Sequence, residues 1–191
     1  MMLLKKHPWT LASASPRRLS ILRQVGIEPV VRPANVDELE NGAEPESLCL
    51  ANSHRKLAAI QPAAKTGFVL AADTMVILDG SSLGKPESED HALELLRSLR
   101  GRDHKVLTSW VLHLRESNQT VDGVETTKVW MRDVSDDELK EYIATGHALD
   151  KAGAYGIQGA AGAFVERIEG CYFNVVGLPI SRVMEAAGKL I

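Results

Sequence analysis

The run Gly67–Leu78, GFVLAADTMVIL, constrains the fold more than any other stretch of this chain. It reads as one long apolar strand, and Asp79-Gly80 directly behind it is a two-residue hairpin signal. A single acid, Asp73, interrupts it. A carboxylate in such a strand is costly to bury unless it is paired, bound to a metal, or exposed at the strand end. The residue therefore has three readings from sequence: a magnesium ligand, a base for water, or an aspartate capping local backbone. Thr74 beside it is suited to hydrogen-bonding a ligand or to packing.

Around this strand the chain alternates between period-2 and period-3.6 patterns. A strand is expected at Trp9–Ala12. Ser15-Pro16 then opens a helix with Leu19, Leu22 and Val25 on one face, and Gly26 closes it. A strand at Pro29–Arg32 and an acidic loop at Val36–Ala43 precede a helix over Pro45–Ile60. Ser88 caps a helix that runs through Leu99 and stops at Gly101. Strands follow at Lys105–Leu114 and Glu125–Arg132. Ser135 to Glu138 is a capping box for a helix ending at Thr145-Gly146. A glycine-rich segment, a strand at Phe164–Ile168, a loop and a helix from Pro179 complete the chain. The mixed order predicts an α/β protein with a largely mixed sheet. At 191 residues, the chain suits one domain or two lobes sharing a core.

Composition excludes several classes. The chain is 45% hydrophobic and carries a net charge of −3. It has no global basic field for coating nucleic acid, so any anion must be held by a local cluster. The two cysteines, Cys49 and Cys171, stand at no zinc-ligand spacing and form no disulfide framework, and read as inert thiols. The scattered histidines contain no HExxH pattern. The opening MMLLKKHPW is too short in its apolar part for a signal peptide, and no apolar run is long enough to span a membrane. A cytoplasmic protein is expected.

Four short stretches carry chemistry. In SASPRR a strand ends at Ser13 and Ser15 and a helix begins at Pro16. That leaves backbone N–H groups and the positive end of the helix dipole at the junction. Arg17 and Arg18 sit where that dipole disfavours cations, a mismatch explained if an anion such as phosphate fills the site. The other reading is a solvated arginine pair behind a serine cap; a Walker A loop is absent. Lys85, between Gly84 and Pro86, sits on a stiff turn. The acidic loop supplies Asp37 and Glu38. In DKAGAYGIQGAAGAF, glycines 153, 156, 159 and 162 permit close backbone approach, and Gln158 carries donors and an acceptor fit to read a base edge. Each stretch alone also reads as ordinary surface. Together they make a parts list for magnesium-assisted phosphoanhydride chemistry.

In this order the pieces resemble the Maf family of nucleoside triphosphate pyrophosphatases. The matching stretches are LASASPRR, VDE, AADT followed by GKP, DKAGAYGIQG and NVVGLP, from Leu11 to Pro179. With Asp150, Lys151 and Gln158, the segment DKAGAYGIQG is similar to the branch acting on dTTP and UTP. The resemblance implies a mixed α/β fold of Maf/ITPase-like type with two lobes around a central cleft, as a single domain over residues 1–191, often a homodimer. It implies hydrolysis to the monophosphate and pyrophosphate with a divalent cation, Mg²⁺ or Mn²⁺. By the same match Asp73 is the proton acceptor or a metal ligand and Glu38 is part of the polar lining; a metal held by Glu38 and Asp73 together is the expected arrangement. Arg17, Thr74 and Gln158 correspond to positions tied to substrate choice. Ser13, Arg18, Lys56 and Lys85 correspond to the polar lining. A free nucleotide is the expected partner, with no nucleic acid and no membrane.

The chain departs from the family pattern before Lys56. The family usually shows an LAxxKA-like helix there, whereas this chain reads ANSHRKLAA, with Asn52 and Ser53 at the expected apolar and small positions. Lys56 is also readable as an ordinary exposed helix lysine. Two alternatives stand beside the dTTP/UTP reading: a pyrophosphatase for 7-methyl-GTP or other modified nucleotides, and a non-catalytic nucleotide-binding regulator of septum formation.

Overall fold

The computed structural model describes residues 4–39 and 43–191. A mixed sheet forms its framework. Strands β1 (Trp9–Leu11), β2 (Val30–Val31), β3 (Phe68–Leu78), β4 (Ser81–Leu83), β5 (Asp103–Leu114), β6 (Gln119–Met131) and β7 (Val165–Glu169) are ordered β2-β1-β3-β5-β6-β7, with β4 paired to β3. β1 is parallel to β2 and to β3, with Thr10 opposite both Val30 and Val69. Parallel neighbours need crossover connections. Helices α1 (Pro16–Gln24) and α2 (Pro45–Ile60) lie on them. β3–β4 and β6–β7 are antiparallel. Helices α3 (Glu89–Leu99), α4 (Asp136–Ala144), α5 (Tyr172–Val176) and α6 (Ile180–Leu190) complete the α/β architecture.

Local signals set most of these boundaries. Pro16 occupies the first helical position of α1. At the other end Gly26 takes φ +78°, its N–H donates to Arg23 O at 2.9 Å, and the Ile27 N–H returns to Leu22 O at 3.0 Å. Asp79 and Gly80 both have positive φ, and Leu78 faces Ser81 across the turn they make. Ser88 Oγ accepts the His91 N–H at 3.1 Å at the start of α3. Ser135 and Glu138 form the full capping box on α4. Ser15 is the one cap that differs from expectation. It stands at the N-cap position of α1 without a side-chain cap bond, and its own N–H donates to Ser13 Oγ at 3.2 Å. Part of the segment read as a loop after Gly170 forms α5.

The chain divides into two compact units. The first comprises residues up to Asp73, Thr108–Glu125 and Gly177–Ile191. It packs Ala12, Leu57, Ala64, Val69, Ala71 and Val111 around the parallel strands. Trp9 lies against Phe68 with ring centroids 4.5 Å apart, and its indole N–H donates to Leu4 O. The second comprises Thr74–Leu107 and Thr126–Val176. Its core gathers Leu96 and Leu99 of α3, Val129 and Met131 of β6, Leu139 and Ile143 of α4, and Phe164. The unit boundary on β3 falls between Asp73 and Thr74.

Candidate active site

Helix α2 positions the centre of the first unit. Its buried residues are Leu48, Cys49, Asn52, Ser53, Lys56 and Leu57, a spacing of three and four that defines one helix face. That face is apolar at its ends and polar in the middle, so the polar groups need partners. Ser53 Oγ meets Ser109 Oγ on β5 at 2.6 Å, and Ser109 Oγ in turn donates to Cys49 O. Lys56 extends from the same face to the acid of β3.

Asp73 is neither exposed nor at a strand end. It is 4% exposed in the middle of β3. Lys56 Nζ donates to Asp73 Oδ1 at 2.6 Å and to Glu38 Oε1 at 2.5 Å. Asn52 Nδ2 reaches Asp73 Oδ2 at 3.4 Å, and the Cys49 thiol points at Asp73 O at 3.6 Å. A buried carboxylate is thus met by an ammonium and an amide, which is how such a charge is tolerated. The surface reading of Lys56 does not hold: the side chain is buried and bridges two acids. Burial, with the Asp73 charge adding to it, pushes the Cys49 thiol up to about 11. Cys49 is therefore an inert thiol, and Cys171 is a half-buried free one.

Arg18 and Ser13 form a second cluster in this unit. Arg18 Nε donates to Gly177 O at 2.8 Å and Nη1 to Ser13 Oγ at 2.9 Å. Burial pulls the Arg18 guanidinium below its ordinary value, while the Asp73 carboxylate acts in the opposite direction. Arg18 is therefore built into the strand–helix junction and fixes it to the NVVGLP segment at Gly177. Arg17 beside it is half-buried.

The remaining expected residues belong to the second unit. Thr74 is the half-buried residue of otherwise buried β3. Lys85 is exposed on the turn after β4, and the Gly153 N–H donates to Gly84 O at 3.0 Å. That bond ties the lysine turn to the glycine-rich segment. There Gly153 takes φ +66°, with Val76 Cγ1 only 3.1 Å from where a Cβ would stand. Gln158 is exposed further along it. Asp150 and Lys151 form an ion pair, and Lys151 Nζ also donates to His147 O.

Sequence reasoning assigned no role to Asn52. Its signal lies in the departure ANSHRKLAA, where Asn52 and Ser53 stand at positions the family pattern fills with apolar and small residues. Among the described residues no cluster of three or more His, Cys, Asp or Glu side chains is arranged to hold a metal. No helix among them is long and apolar enough to cross a membrane.

The fold is thus an α/β protein with a mixed sheet, whose first unit holds a lysine clamped between two carboxylates and a buried arginine at a strand–helix junction. The particular family is clear from comparison: residues 8–190 match the family described as Maf-like protein, and the chain belongs to it. Among its curated relatives is a dTTP/UTP pyrophosphatase of Syntrophomonas wolfei, 45% identical over 174 residues, covering 91% of this chain and 92% of that protein. One of Pyrococcus horikoshii is 44% identical over 176 residues, covering 92% of each chain. One of Carboxydothermus hydrogenoformans is 43% identical, covering 91% and 93%. The solved Ham1 protein of Staphylococcus aureus aligns with a TM-score of 0.46 at 17% identity, over 66% of this chain and 72% of that one, too distant to carry an argument.

Proposed function

We propose that this chain hydrolyses dTTP and UTP to the nucleoside monophosphate and pyrophosphate. The observation that carries the reading is the convergence of Asp73 and Glu38 on one cationic nitrogen, at 2.6 and 2.5 Å. The names of its relatives give the substrate class.

The residues fit a divalent cation. Two hard carboxylates already converge on a positive charge, here the Lys56 ammonium. Mg²⁺ and Mn²⁺ favour oxygen ligands, and Mg²⁺ commonly takes only one or two carboxylates and completes its shell with water and phosphate oxygens. Asp73 and Glu38 would hold it. When bound, such an ion neutralises charge on the phosphates and polarises their oxygens.

The chain's own residues do the rest. Asp73 takes the proton of the attacking water as its oxygen bonds to the α-phosphorus; the bond from that phosphorus to the bridging oxygen breaks, and pyrophosphate leaves. Lys56 orients both carboxylates. Arg17 binds phosphate, while Arg18 and Ser13 shape the junction that presents backbone N–H groups. Lys85 is a further phosphate ligand, and Thr74 and Gln158 read the base. The protein acts on free nucleotides in the cytoplasm as a homodimer, and engages neither nucleic acid nor membrane.

A nucleotide panel with Mg²⁺ tests this: dTTP, UTP, the purine triphosphates and 7-methyl-GTP, with pyrophosphate and orthophosphate measured separately. The expected result is pyrophosphate released fastest from dTTP and UTP. Orthophosphate as the product, or nucleotide binding with no hydrolysis, would overturn the reading. Preference for 7-methyl-GTP would keep the reaction and change the substrate.

A further inference from the structure

We infer that Asn52 is a positioning residue whose carboxamide fastens the acidic loop at Leu39 and thereby holds Glu38 against the Lys56–Asp73 pair. The inference rests on the reading of Glu38 and Asp73 as the metal-holding carboxylates.

The Leu39 N–H donates to Asn52 Oδ1 at 2.7 Å, and Asn52 Nδ2 donates back to Leu39 O at 3.1 Å. One side chain thus satisfies both backbone groups of one loop residue, as a neighbouring strand would. The pairing also fixes which end of the amide is nitrogen, since Leu39 offers a donor to one end and an acceptor to the other. With the nitrogen placed so, its second hydrogen faces Asp73 Oδ2 at 3.4 Å. Asn52 is 1% exposed, so its amide has no water to fall back on.

Asp37, Glu38 and Leu39 carry no secondary structure, and all three are exposed. Glu38 is adjacent to the residue Asn52 holds, and its carboxylate reaches Lys56 one helical turn along α2 from Asn52. Asn52 therefore touches both carboxylate-bearing elements: β3 through Asp73 and the loop through Leu39. A leucine at this position would fill the space and hold neither.

The test measures Leu39 amide exchange together with turnover and the Mg²⁺ concentration at half-maximal rate. Asn52→Leu is expected to speed Leu39 exchange. It should also raise the half-saturating Mg²⁺ and lower kcat by about 10-fold or more, with nucleotide KM changed far less, as for other groups that orient metal ligands. Asn52→Asp keeps the acceptor for the Leu39 N–H but loses the donor. It should leave Leu39 protected while still lowering kcat. Unchanged Leu39 exchange and Mg²⁺ dependence in Asn52→Leu would overturn the inference. So would a wild-type Leu39 amide exchanging at the rate of an unstructured chain, a result that needs no variant to fold. Asp73→Asn run alongside separates the two claims: full turnover there removes Asp73 from the chemistry, whereas Leu39 exchange still decides what Asn52 holds.

Discussion

Lys56 and Asp73 meet at 2.6 Å through side chains that are 10% and 6% exposed, a buried ion pair formed between a helix and a strand. Glu38, half exposed, completes the contact from the loop side. The pair carries the chemistry proposed for the first unit, and its burial decides how substitutions there behave.

Asp73→Asn is expected to lower kcat by about three orders of magnitude or more, since an amide cannot take the proton from water. The fold should survive, because Glu38 still faces the Lys56 ammonium. Steady-state pyrophosphate release and circular dichroism check this together. Turnover close to wild type would exclude Asp73 from catalysis.

Lys56→Met removes the cation between two acids and leaves the Asp73 carboxylate buried beside Glu38. Breaking a buried pair this way should cost about 3 kcal/mol. Divalent cation should then stabilise the variant more than the wild type, by supplying the missing charge. Urea unfolding with and without MgCl₂ measures both. A metal effect equal in the two proteins would argue against a cation site on these carboxylates.

His104 makes stability fall in mild acid. Its ring is buried, with Nε2 2.6 Å from the Tyr155 hydroxyl and no hydrogen-bond partner for Nδ1 among the described residues. Burial lowers its pKa from an ordinary 6.5 to about 4. Between those values the unfolded chain binds a proton that the folded chain refuses. Stability from this group is therefore complete above pH 6.5 and is lost as pH falls toward 4, by roughly 2–3 kcal/mol. His113, also lowered by burial, contributes with the same sign, so the readout is a difference. His104→Gln should flatten the slope of unfolding free energy against pH between 6.5 and 4. An unchanged slope would mean that His104 titrates normally in the folded protein.

Ser135→Ala removes half of the capping box on α4, where Ser135 Oγ accepts the Glu138 N–H and Glu138 accepts the Ser135 N–H. A loss of about 1 kcal/mol is expected from chemical denaturation. Turnover should not change, and a large drop would give α4 a role beyond stability.

The elements were legible because their signals are local. Pro45 and the sequence up to Ile60 mark α2 at the bounds it adopts, and Ser88, Ser135 and Asp79-Gly80 act within a few residues of themselves. Ser15 misled at the level of one hydrogen bond. Proline at position 16 was enough to start α1, and the nearby Ser13 hydroxyl bonded both the Ser15 N–H and Arg18. Arg18 reads in sequence as a cation suited to an anion, and only the structure shows that its Nε also donates to a backbone carbonyl 159 residues away.

By itself the sequence determined the order of strands and helices apart from β4 and α5, the apolar strand that carries Asp73, and the presence of Asn52, Ser53 and Lys56 within α2. Periodicity does that much, because it assigns each side chain to a face. It does not name what lies opposite. Only the tertiary structure decided that Lys56 bridges Asp73 and Glu38, and that Asn52 pairs with the backbone of Leu39. Those contacts join a helix, a strand and a loop, and the burial that makes each unmet charge costly exists only once the three have packed together.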